Sequence, residues 1–239
     1  MIGLVHIQER TDGAVVELGG TSGIGRELAA AYAQKGCAVV VSGRDEQRAQ
    51  KVATDIGGDT TGTGLDLAEP ESIRPALESI GAVQRLVIAA IERDVNRISE
   101  YDRLRALRLV TLKLVGYAES VHVLQDRFTK DASVLLFGGL AKERPYDGST
   151  TVSTVNGGIS GMVRTLACEL APVRVNAIHP GIVGDSPYWV DKPLDAVVAR
   201  TPIGRLVTMA EIVEASTFLL ECGGMNGADL FVDGGWLLR

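Results

Sequence analysis

The chain has 239 residues, enough for one large domain, and its composition of 46% apolar and 5% aromatic residues favours an aliphatic core. Its formal net charge of −6 disfavours a surface for nucleic acid or for an anionic membrane. Because neither a signal-peptide pattern nor a run of about 18 apolar residues occurs, we expect a cytoplasmic protein with no membrane partner.

Short apolar runs alternate along the chain with longer segments of helical periodicity. The runs predict strands at 14–18, 38–42, 85–90, 133–137, 174–178 and 229–232. The segments predict helices at 26–35, 46–56, 71–80, 101–125, 153–170 and 210–220. This alternation predicts an α/β fold, a doubly wound parallel sheet in a single domain over 1–239. Glu17 is an exception within its apolar run, and a buried carboxylate there would need a partner.

A glycine-rich motif, Gly-Gly-Thr-Ser-Gly-Ile-Gly at 19–25, lies between the first predicted strand and the first predicted helix. Gly19 permits a tight turn, and Gly23 and Gly25 let backbone N–H groups approach a pyrophosphate at the helix N-terminus. The flanking strand and helix make the motif specific, because isolated glycines of this spacing also occur in ordinary loops. The motif predicts a dinucleotide site.

The cysteines and histidines do not predict a metal site. Cys37, Cys168 and Cys222 are far apart and lack a C-x-x-C spacing, which is typical of reduced thiols inside the cell. His6 and His122 match no metal-binding spacing. The segment 180–202, which is rich in proline and lacks clear periodicity, is expected to form a surface segment near the ligand site.

The chain resembles the short-chain dehydrogenase/reductase family over nearly all of its length. Besides the motif at 19–25, the matching segments are Gly-Leu-Asp-Leu at 64–67, Arg-Val-Asn-Ala-Ile-His-Pro-Gly at 174–181, Thr-Pro-Ile-Gly-Arg at 201–205 and Val-Asp-Gly-Gly at 232–235. Five motifs in the family's order make the resemblance specific. It implies one Rossmann-type domain with a seven-stranded parallel sheet, a dinucleotide cofactor and a small-molecule substrate.

The resemblance also implies which residues contact the cofactor. Asp66 and Leu67 are expected to hold the adenine, and the loop from Pro180 is expected to wall the nicotinamide. The expected contacts are Gly19, Thr21, Ser22, Gly23, Ile24, Ser42, Arg44, Asp66, Leu67, Ala89, Ala90, Asn156, Pro180, Gly181 and Val183.

The end of the second predicted strand favours NADP over NAD. Relatives that bind NAD carry an acidic residue there, which holds the ribose hydroxyls, whereas this chain has Gly43 between Ser42 and Arg44. No acid repels a 2′-phosphate, and Arg44 can pair with it through a charge-assisted hydrogen bond. NADPH is therefore expected to bind better than NADH. The alternative is that Arg44 is only a solvated residue at a helix start.

The family's catalytic residues are missing from the positions that the resemblance assigns to them. Val152 falls at the tyrosine position, Asn156 at the lysine position, Gly139 at the serine position and Thr111 at the asparagine position of the long central helix. The family's Asn-Asn-Ala-Gly appears as Ile-Ala-Ala-Ile at 88–91. Val152 has no proton to donate, and Asn156 carries no charge that could activate a neighbour. Ordinary ketone reduction by the family mechanism is therefore disfavoured.

Three other residues are catalytic candidates. Tyr146 precedes the helix at 153–170 and could swing towards the nicotinamide or pack on the surface. His179 lies at a strand end, where α/β sites form, although relatives with ordinary chemistry also carry histidine there. Asp185 could accept a hydrogen bond from the carboxamide, act as a general base or cap the next turn. Tyr188 and Trp189 are expected to line or cover the pocket.

Two classes of function are compatible with this pattern. The first is an NADP-dependent enzyme that reduces an activated C=C or C=N bond or performs a non-redox step on a small molecule. The second is a catalytically silent NADP-binding sensor, or the partner subunit of an active homologue.

The protein is expected to be a homo-oligomer, most often a tetramer in this family. The apolar segments 218–220, 230–232 and 236–238 are concentrated at the chain end and are expected to form one two-fold interface. The helices at 101–125 and 153–170 are expected to form the second. The alternative is that Trp236 and Leu237 fold back onto their own subunit.

Overall fold

The computed structural model describes residues 13–239. The strands are β1 (Ala14–Leu18), β2 (Val39–Gly43), β3 (Thr60–Gly64), β4 (Val83–Ile88), β5 (Phe128–Phe137), β6 (Arg174–Pro180) and β7 (Asp229–Val232). The helices are α1 (Gly23–Gln34), α2 (Glu46–Ile56), α3 (Ile73–Leu77), α4 (Arg103–Val110), α5 (Tyr117–Leu124), α6 (Thr150–Glu169), α7 (Asp195–Val198) and α8 (Met209–Glu221).

Seven strands within residues 13–239 form one parallel sheet in the order β3-β2-β1-β4-β5-β6-β7. The order reverses between β1 and β4, which are neighbours in register from Val15 to Leu18. In such sheets a crevice opens at the carboxyl ends of the two strands where the order reverses. The predicted doubly wound parallel fold is confirmed.

Helices cover both faces of the sheet, because successive side chains of each strand point to opposite faces. Val16 and Leu18 of β1 are fully buried against α3, α5 and α6. Val15 of the same strand is fully buried in a second cluster with α1, α2 and α8. Burial on both faces explains why the strands are nearly continuous apolar runs.

Two elements differ from the sequence-based prediction. The edge strand β3 was missed because its sequence, Thr-Thr-Gly-Thr-Gly, has no large apolar residue, and its pairing with β2 forms it. The predicted helix 71–80 is reduced to the five residues of α3, in which Pro75 has no N–H to donate.

The predicted helix 101–125 is interrupted. It begins at Arg103, where the Asp102 carboxylate accepts hydrogen bonds from the first turn of α4. A π-helical segment, Thr111–Gly116, joins α4 to α5. Such segments occur frequently at functional sites.

The segment 180–202 contains the short helix α7, and it is anchored to the chain before α8 by a bridge between Val183 and Val207. No helix of residues 13–239 is long and apolar enough to cross a membrane. The same residues contain no group of three His, Cys, Asp or Glu side chains arranged to hold a metal ion, and His6 lies outside them.

Candidate functional site

The glycine motif forms the turn between β1 and α1, at the crevice. Gly19 has a φ of 101°, and a Cβ at this position would lie 2.5 Å from the backbone nitrogen of Ala90. The N–H groups of Ala89 and Ala90 both donate to the carbonyl oxygen of Leu18, at 2.8 and 3.0 Å. Only glycine fits a turn held this closely against the loop after β4. Three predicted cofactor contacts, Gly19, Ala89 and Ala90, are therefore neighbours.

The N-terminus of α1 is suited to an anion. The helix follows Ser22 directly, and within the described chain the Ser22 side chain makes no capping hydrogen bond. The first turn carries no acidic side chain. The first N–H groups of a helix have no intrahelical partner, and the helix dipole adds positive charge at this end. Thr21, Ser22, Gly23 and Ile24 are thus placed where a phosphate could bind.

Two arginines lie at the carboxyl end of β2. A Cβ at Gly43 would lie 2.6 Å from Cγ2 of Thr21. Thr21 of the glycine motif therefore fills the space that a side chain at position 43 would need. Arg44 is exposed beside Gly43, and the Arg48 guanidinium donates to the Thr21 carbonyl oxygen at 3.5 Å. Sequence reasoning missed Arg48, which lies in the first turn of α2. Ser42, the preceding predicted contact, is buried.

Asp66 follows β3 and is already engaged within the protein. One carboxylate oxygen accepts from the Ala68 N–H at 2.9 Å, and the other accepts from the Arg108 guanidinium at 2.8 Å. Burial opposes ionisation, but the hydrogen bonds from Arg108 and Ala68 outweigh it and lower the pKa of Asp66. Arg108 also contacts Glu92 at 2.8 Å, so it joins the loops after β3 and β4. Leu67, the other predicted adenine contact, is buried in the core.

Glu17 does not have the partner that we expected. Its side chain is fully buried in β1, and neither carboxylate oxygen has a hydrogen-bond partner in the described chain. Burial raises the pKa of Glu17 well above its ordinary value, because it disfavours the charged carboxylate. The side chain lies beneath the glycine motif, since a Cβ on Gly25 would be 2.9 Å from its Oε1.

His179 is a structural residue beneath the cleft. It is fully buried, its Nδ1 accepts from the Gly139 N–H at 3.1 Å, and its Nε2 lies 2.6 Å from Oδ1 of Asp229. These contacts correspond to a neutral ring that donates from Nε2. Burial lowers the pKa of His179 despite the Asp229 hydrogen bond, which agrees with the neutral form. Both ring nitrogens are occupied, so the histidine positions the loop after β5.

Ser160 and Lys142 complete the surroundings of Asp229. The Ser160 hydroxyl donates to Oδ1 of Asp229 at 2.9 Å, and Nζ of Lys142 lies 3.5 Å from the same oxygen. Arg164 approaches the other carboxylate oxygen at 3.8 Å. The carboxylate of edge strand β7 therefore anchors β6 and α6 together.

Gly139 and Asn156 face each other across the cleft wall. Asn156 is buried in α6, and a Cβ on Gly139 would lie 2.9 Å from its Nδ2. Val152 lies one turn earlier on α6 and is partly buried. Thr111 begins the π-helical segment, which packs against α6. The loop after β5, α6 and the π-helical segment therefore converge beside the crevice.

A buried lysine and tyrosine join the ends of β4 and β5. Nζ of Lys113, in the π-helical segment, donates to the Phe137 carbonyl oxygen and contacts the Tyr117 hydroxyl, each at 2.7 Å. The Tyr117 hydroxyl donates to the Ala90 carbonyl oxygen at 2.8 Å. Burial lowers the pKa of Lys113 to about 7. Sequence reasoning missed this pair, because nothing in the pattern indicates that Lys113 points inwards.

The loop after β6 borders the cleft on its open side. The Gly181 N–H donates to the Val232 carbonyl oxygen at 2.9 Å, which fixes the chain after Pro180. The Asp185 carboxylate accepts from the Met209 N–H at 2.8 Å. It therefore caps the N-terminus of α8, whereas the sequence suggested a cap on the turn that follows Asp185. Tyr146 is exposed at the rim.

Comparisons with known proteins agree with this geometry. A family model described as "Enoyl-(Acyl carrier protein) reductase" matches residues 19–237. The chain belongs to the short-chain dehydrogenase/reductase family. A carbonyl reductase family member 4 from Danio rerio is 30% identical over 230 residues, which are 92% of this chain and 96% of the relative. A 3-oxoacyl-[acyl-carrier-protein] reductase from Bos taurus is 31% identical and covers 91% of this chain and 94% of its own.

Solved structures of the short-chain dehydrogenase/reductase family superpose on nearly the whole chain. One described as a short chain dehydrogenase/reductase family protein has a TM-score of 0.86 and 27% sequence identity. The alignment covers 97% of this chain and all of the other. The protein is therefore an oxidoreductase of this family, whose members use NAD(P) cofactors and act on small molecules.

Proposed function

We propose that the protein is an NADPH-dependent reductase whose proton donor differs from that of its relatives. The observation that carries the proposal is the position of Asn156 beside Gly139, where a Cβ would lie 2.9 Å from its Nδ2. The family resemblance assigns these positions to serine and lysine, and their proximity supports that assignment. Val152, one turn before Asn156, then occupies the tyrosine position. None of the three side chains can donate a proton to a substrate oxygen as the family's residues do.

The cofactor proposal rests on the end of β2. No acid stands at Gly43, Arg44 follows it directly, and the guanidinium of Arg48 lies near Thr21. A 2′-phosphate placed there would gain charge-assisted hydrogen bonds, whereas NADH would gain none. The adenine would lie near Asp66 and Leu67, and the nicotinamide near Pro180, Gly181 and Val183. Asn156 would bond the nicotinamide ribose.

The reaction proposed is hydride transfer to an activated C=C or C=N bond. Such a substrate needs less proton donation to oxygen than a simple ketone does. The family model's description names an enoyl reductase, which supports a C=C substrate. Tyr146 carries an exposed hydroxyl at the rim and is the first candidate for an alternative donor.

The test compares NADPH oxidation with a panel of ketones, enones and imines, beside a titration of NADPH binding. Turnover of enones or imines above that of ketones supports the proposal. Tight NADPH binding without turnover of any class would instead support a silent sensor or partner subunit. Ketone reduction at ordinary rates would overturn the proposed remodelling, and Tyr146→Phe would then be the first variant to measure.

A gain-of-function variant tests the assigned positions. Gly139→Ser, Val152→Tyr and Asn156→Lys together should raise ketone reduction by about 10²–10⁴-fold, the typical contribution of a positioned acid–base group. Replacing Asn156 in the same variant removes the amide nitrogen that a side chain on Gly139 would meet at 2.9 Å. The matched control combines Gly139→Ser and Asn156→Lys with Val152→Phe, which has nearly the bulk of tyrosine but no hydroxyl. Equal activity of the two triple variants would contradict the assignment.

The family resemblance further supports a homotetramer. Ile98, Leu104, Leu107 and Val115 are exposed on the α4 side of the molecule, which suits an interface. The chain-end patch is smaller than its sequence suggests, because Leu219 and Leu220 are buried within their own subunit, while Phe218 and Leu238 are exposed.

Trp236 folds back onto its own subunit, in agreement with the alternative considered from the sequence. Its carbonyl oxygen accepts from Arg144 at 2.6 Å, and the Arg144 and Arg200 guanidinium carbons lie 4.3 and 5.2 Å from its ring centroid. The tetramer proposal therefore depends mainly on the α4 side and on Phe218 and Leu238.

A further inference from the structure

The loops that follow β4, β5 and β6 meet at the open side of the cleft. The Asn96 N–H, after β4, donates to the carbonyl oxygen of Gly148, before α6, at 2.7 Å. The loop after β6 joins them through Tyr188, whose ring centroid lies 3.4 Å from Cζ of Arg93. The carboxyl ends of parallel strands are where ligands of such sheets bind. These contacts define the rim through which a substrate would enter.

Two cations and two aromatic rings form a cluster at this rim. Nζ of Lys192 lies 3.0 Å from the centroid of the same Tyr188 ring that Arg93 contacts. Trp189 packs edge-on against Tyr188, with the centroids 4.7 Å apart. We call Arg93, Tyr188, Trp189 and Lys192 the rim cluster.

The positive charge of the rim cluster is not neutralised within residues 13–239. No carboxylate in that range lies within 4.0 Å of the Arg93 or Lys192 nitrogens. Asp94, the neighbour of Arg93, is buried and paired with Arg105. Asp185 binds the N-terminus of α8. Arg93 and Lys192 therefore place two positive charges on one aromatic ring, although the chain as a whole has a net charge of −6.

Arg93 is arranged to bind an anion. A guanidinium stacked on a ring keeps the N–H donors at its edge free, and these match the two oxygens of a carboxylate or phosphate. Partial burial lowers the pKa of Arg93, the direction expected of a cation without an acidic partner. An anion that contacts both cations at the edge of the ring would also relieve their mutual repulsion.

We propose that the rim cluster selects a planar organic anion as substrate, a carboxylate or a phosphate monoester. The anionic group would bind Arg93 and Lys192 at the edge of the Tyr188 ring, and the planar part would pack on Trp189. This inference rests on the proposed function, because the rim cluster borders the cofactor crevice. It specifies the substrate class for the same site.

Binding of simple probes tests the inference without knowledge of the natural substrate. Trp236→Phe leaves Trp189 as the single tryptophan of the chain, so fluorescence then reports the rim cluster. Benzoate, phenyl phosphate and benzyl alcohol are titrated at constant ionic strength with saturating NADP⁺. Benzoate or phenyl phosphate should bind at least about tenfold more tightly than benzyl alcohol, the lower end for charge-assisted bonds. The anion that binds more tightly shows whether the substrate carries a carboxylate or a phosphate. Equal binding of all three probes would overturn the inference.

Substitutions then assign the binding to the cluster. Arg93→Gln and Lys192→Gln should each weaken anion binding by about tenfold or more while leaving benzyl alcohol unaffected. The matched control is Lys51→Gln, which removes an exposed charge from α2. An equal loss in the control would show a general charge effect and contradict the inference.

The NADP⁺ titration separates this inference from the proposed function. The rim variants should bind NADP⁺ as the unmodified protein does. If NADP⁺ does not bind at all, the cofactor proposal fails, while benzoate titration of the free protein and of its Arg93→Gln variant still tests the rim cluster.

Discussion

The imidazole of His179 fills the space that a side chain on Gly138 would need. A Cβ at position 138 would lie 2.3 Å from Nδ1 and 2.4 Å from Cε1 of that ring. The buried ring cannot withdraw, because its Nε2 is held by Asp229 at 2.6 Å. The loop after β5 therefore takes its position from a side chain on β6.

Gly138→Ala should destabilise the protein. We expect a loss of about 1–3 kcal/mol in the free energy of unfolding, the usual cost of overpacking a buried site. Chemical denaturation measures it. Gly81→Ala is the control, since a Cβ at Gly81 meets no atom within 4 Å and should change stability little. Adding His179→Ala to Gly138→Ala should give a coupled, less than additive loss. Simple additivity would contradict the packing argument.

Stability should fall on mild acidification through His179. Because the folded-state pKa is lowered by burial, the unfolded chain binds a proton first as the pH falls through about 6.5. Stability is then lost until the pH reaches the folded-state pKa. The ring faces the Asp229 carboxylate and, through it, the cations of Lys142 and Arg164.

Denaturation between pH 5 and pH 8 checks this expectation. His179→Gln should flatten the acid dependence, because glutamine does not titrate. The matched variant His122→Gln changes an exposed histidine and should retain the dependence. If both variants keep it, another group is responsible.

Glu17 should make the protein less stable as the pH rises. Its folded-state pKa is raised by burial, so its contribution is complete below the unfolded value near 4.5 and is lost as the pH increases towards the folded-state value. Glu17→Gln should therefore gain stability relative to the unmodified protein by up to about 1.4 kcal/mol per pH unit in that interval. Melting temperatures from pH 5 to pH 8 measure the difference. Glu78→Gln, which changes an exposed residue, is the control and should show no such pH-dependent gain. If the stability difference between Glu17→Gln and the unmodified protein is the same at every pH, the assignment to Glu17 is wrong.

Arg44→Ala and Arg48→Ala should weaken NADPH binding far more than NADH binding. Each lost charge-assisted bond to the 2′-phosphate should reduce the affinity about tenfold or more. Lys51→Ala is the control: Lys51 is exposed on α2, the helix of Arg48, and its loss should leave the ratio of NADPH to NADH affinity unchanged. Equal affinity of the unmodified protein for the two cofactors would contradict the NADP proposal.

An acid at the end of β2 should reverse the cofactor preference. Gly43→Asp needs Thr21→Ala beside it, because a side chain at 43 would meet Thr21. The double variant should favour NADH, since a carboxylate can bind ribose hydroxyls and repel a phosphate. Thr21→Ala alone is the control and should keep the original preference.

Light scattering tests the proposed tetramer. The chain mass is 25.3 kDa, and about four times that mass is expected at micromolar concentration. Leu104→Ser with Leu107→Ser should lower the mass, because both side chains are exposed on α4. Val190→Ser is the control: it replaces an exposed apolar side chain at the cleft and should not lower the mass. A monomer mass for the unmodified protein would refute the oligomer.

The sequence alone determined the fold class, the order of six of the seven strands and the glycine turn. These features depend on local patterns, such as apolar runs buried on both faces and glycines between a strand and a helix, so they can be read without coordinates. The edge strand β3 could not be predicted because its pairing, not its composition, forms it.

Only the tertiary structure decided how the candidate site is held together. His179 was a catalytic candidate in the sequence, but the fold buries it between Gly139 and Asp229, which occupy both ring nitrogens. Arg93 and Lys192 are 99 positions apart in the chain, and they meet only because parallel strands bring their carboxyl-end loops to the same edge. Contacts of such long sequence separation leave no periodic signal, whereas the turn and the strands do.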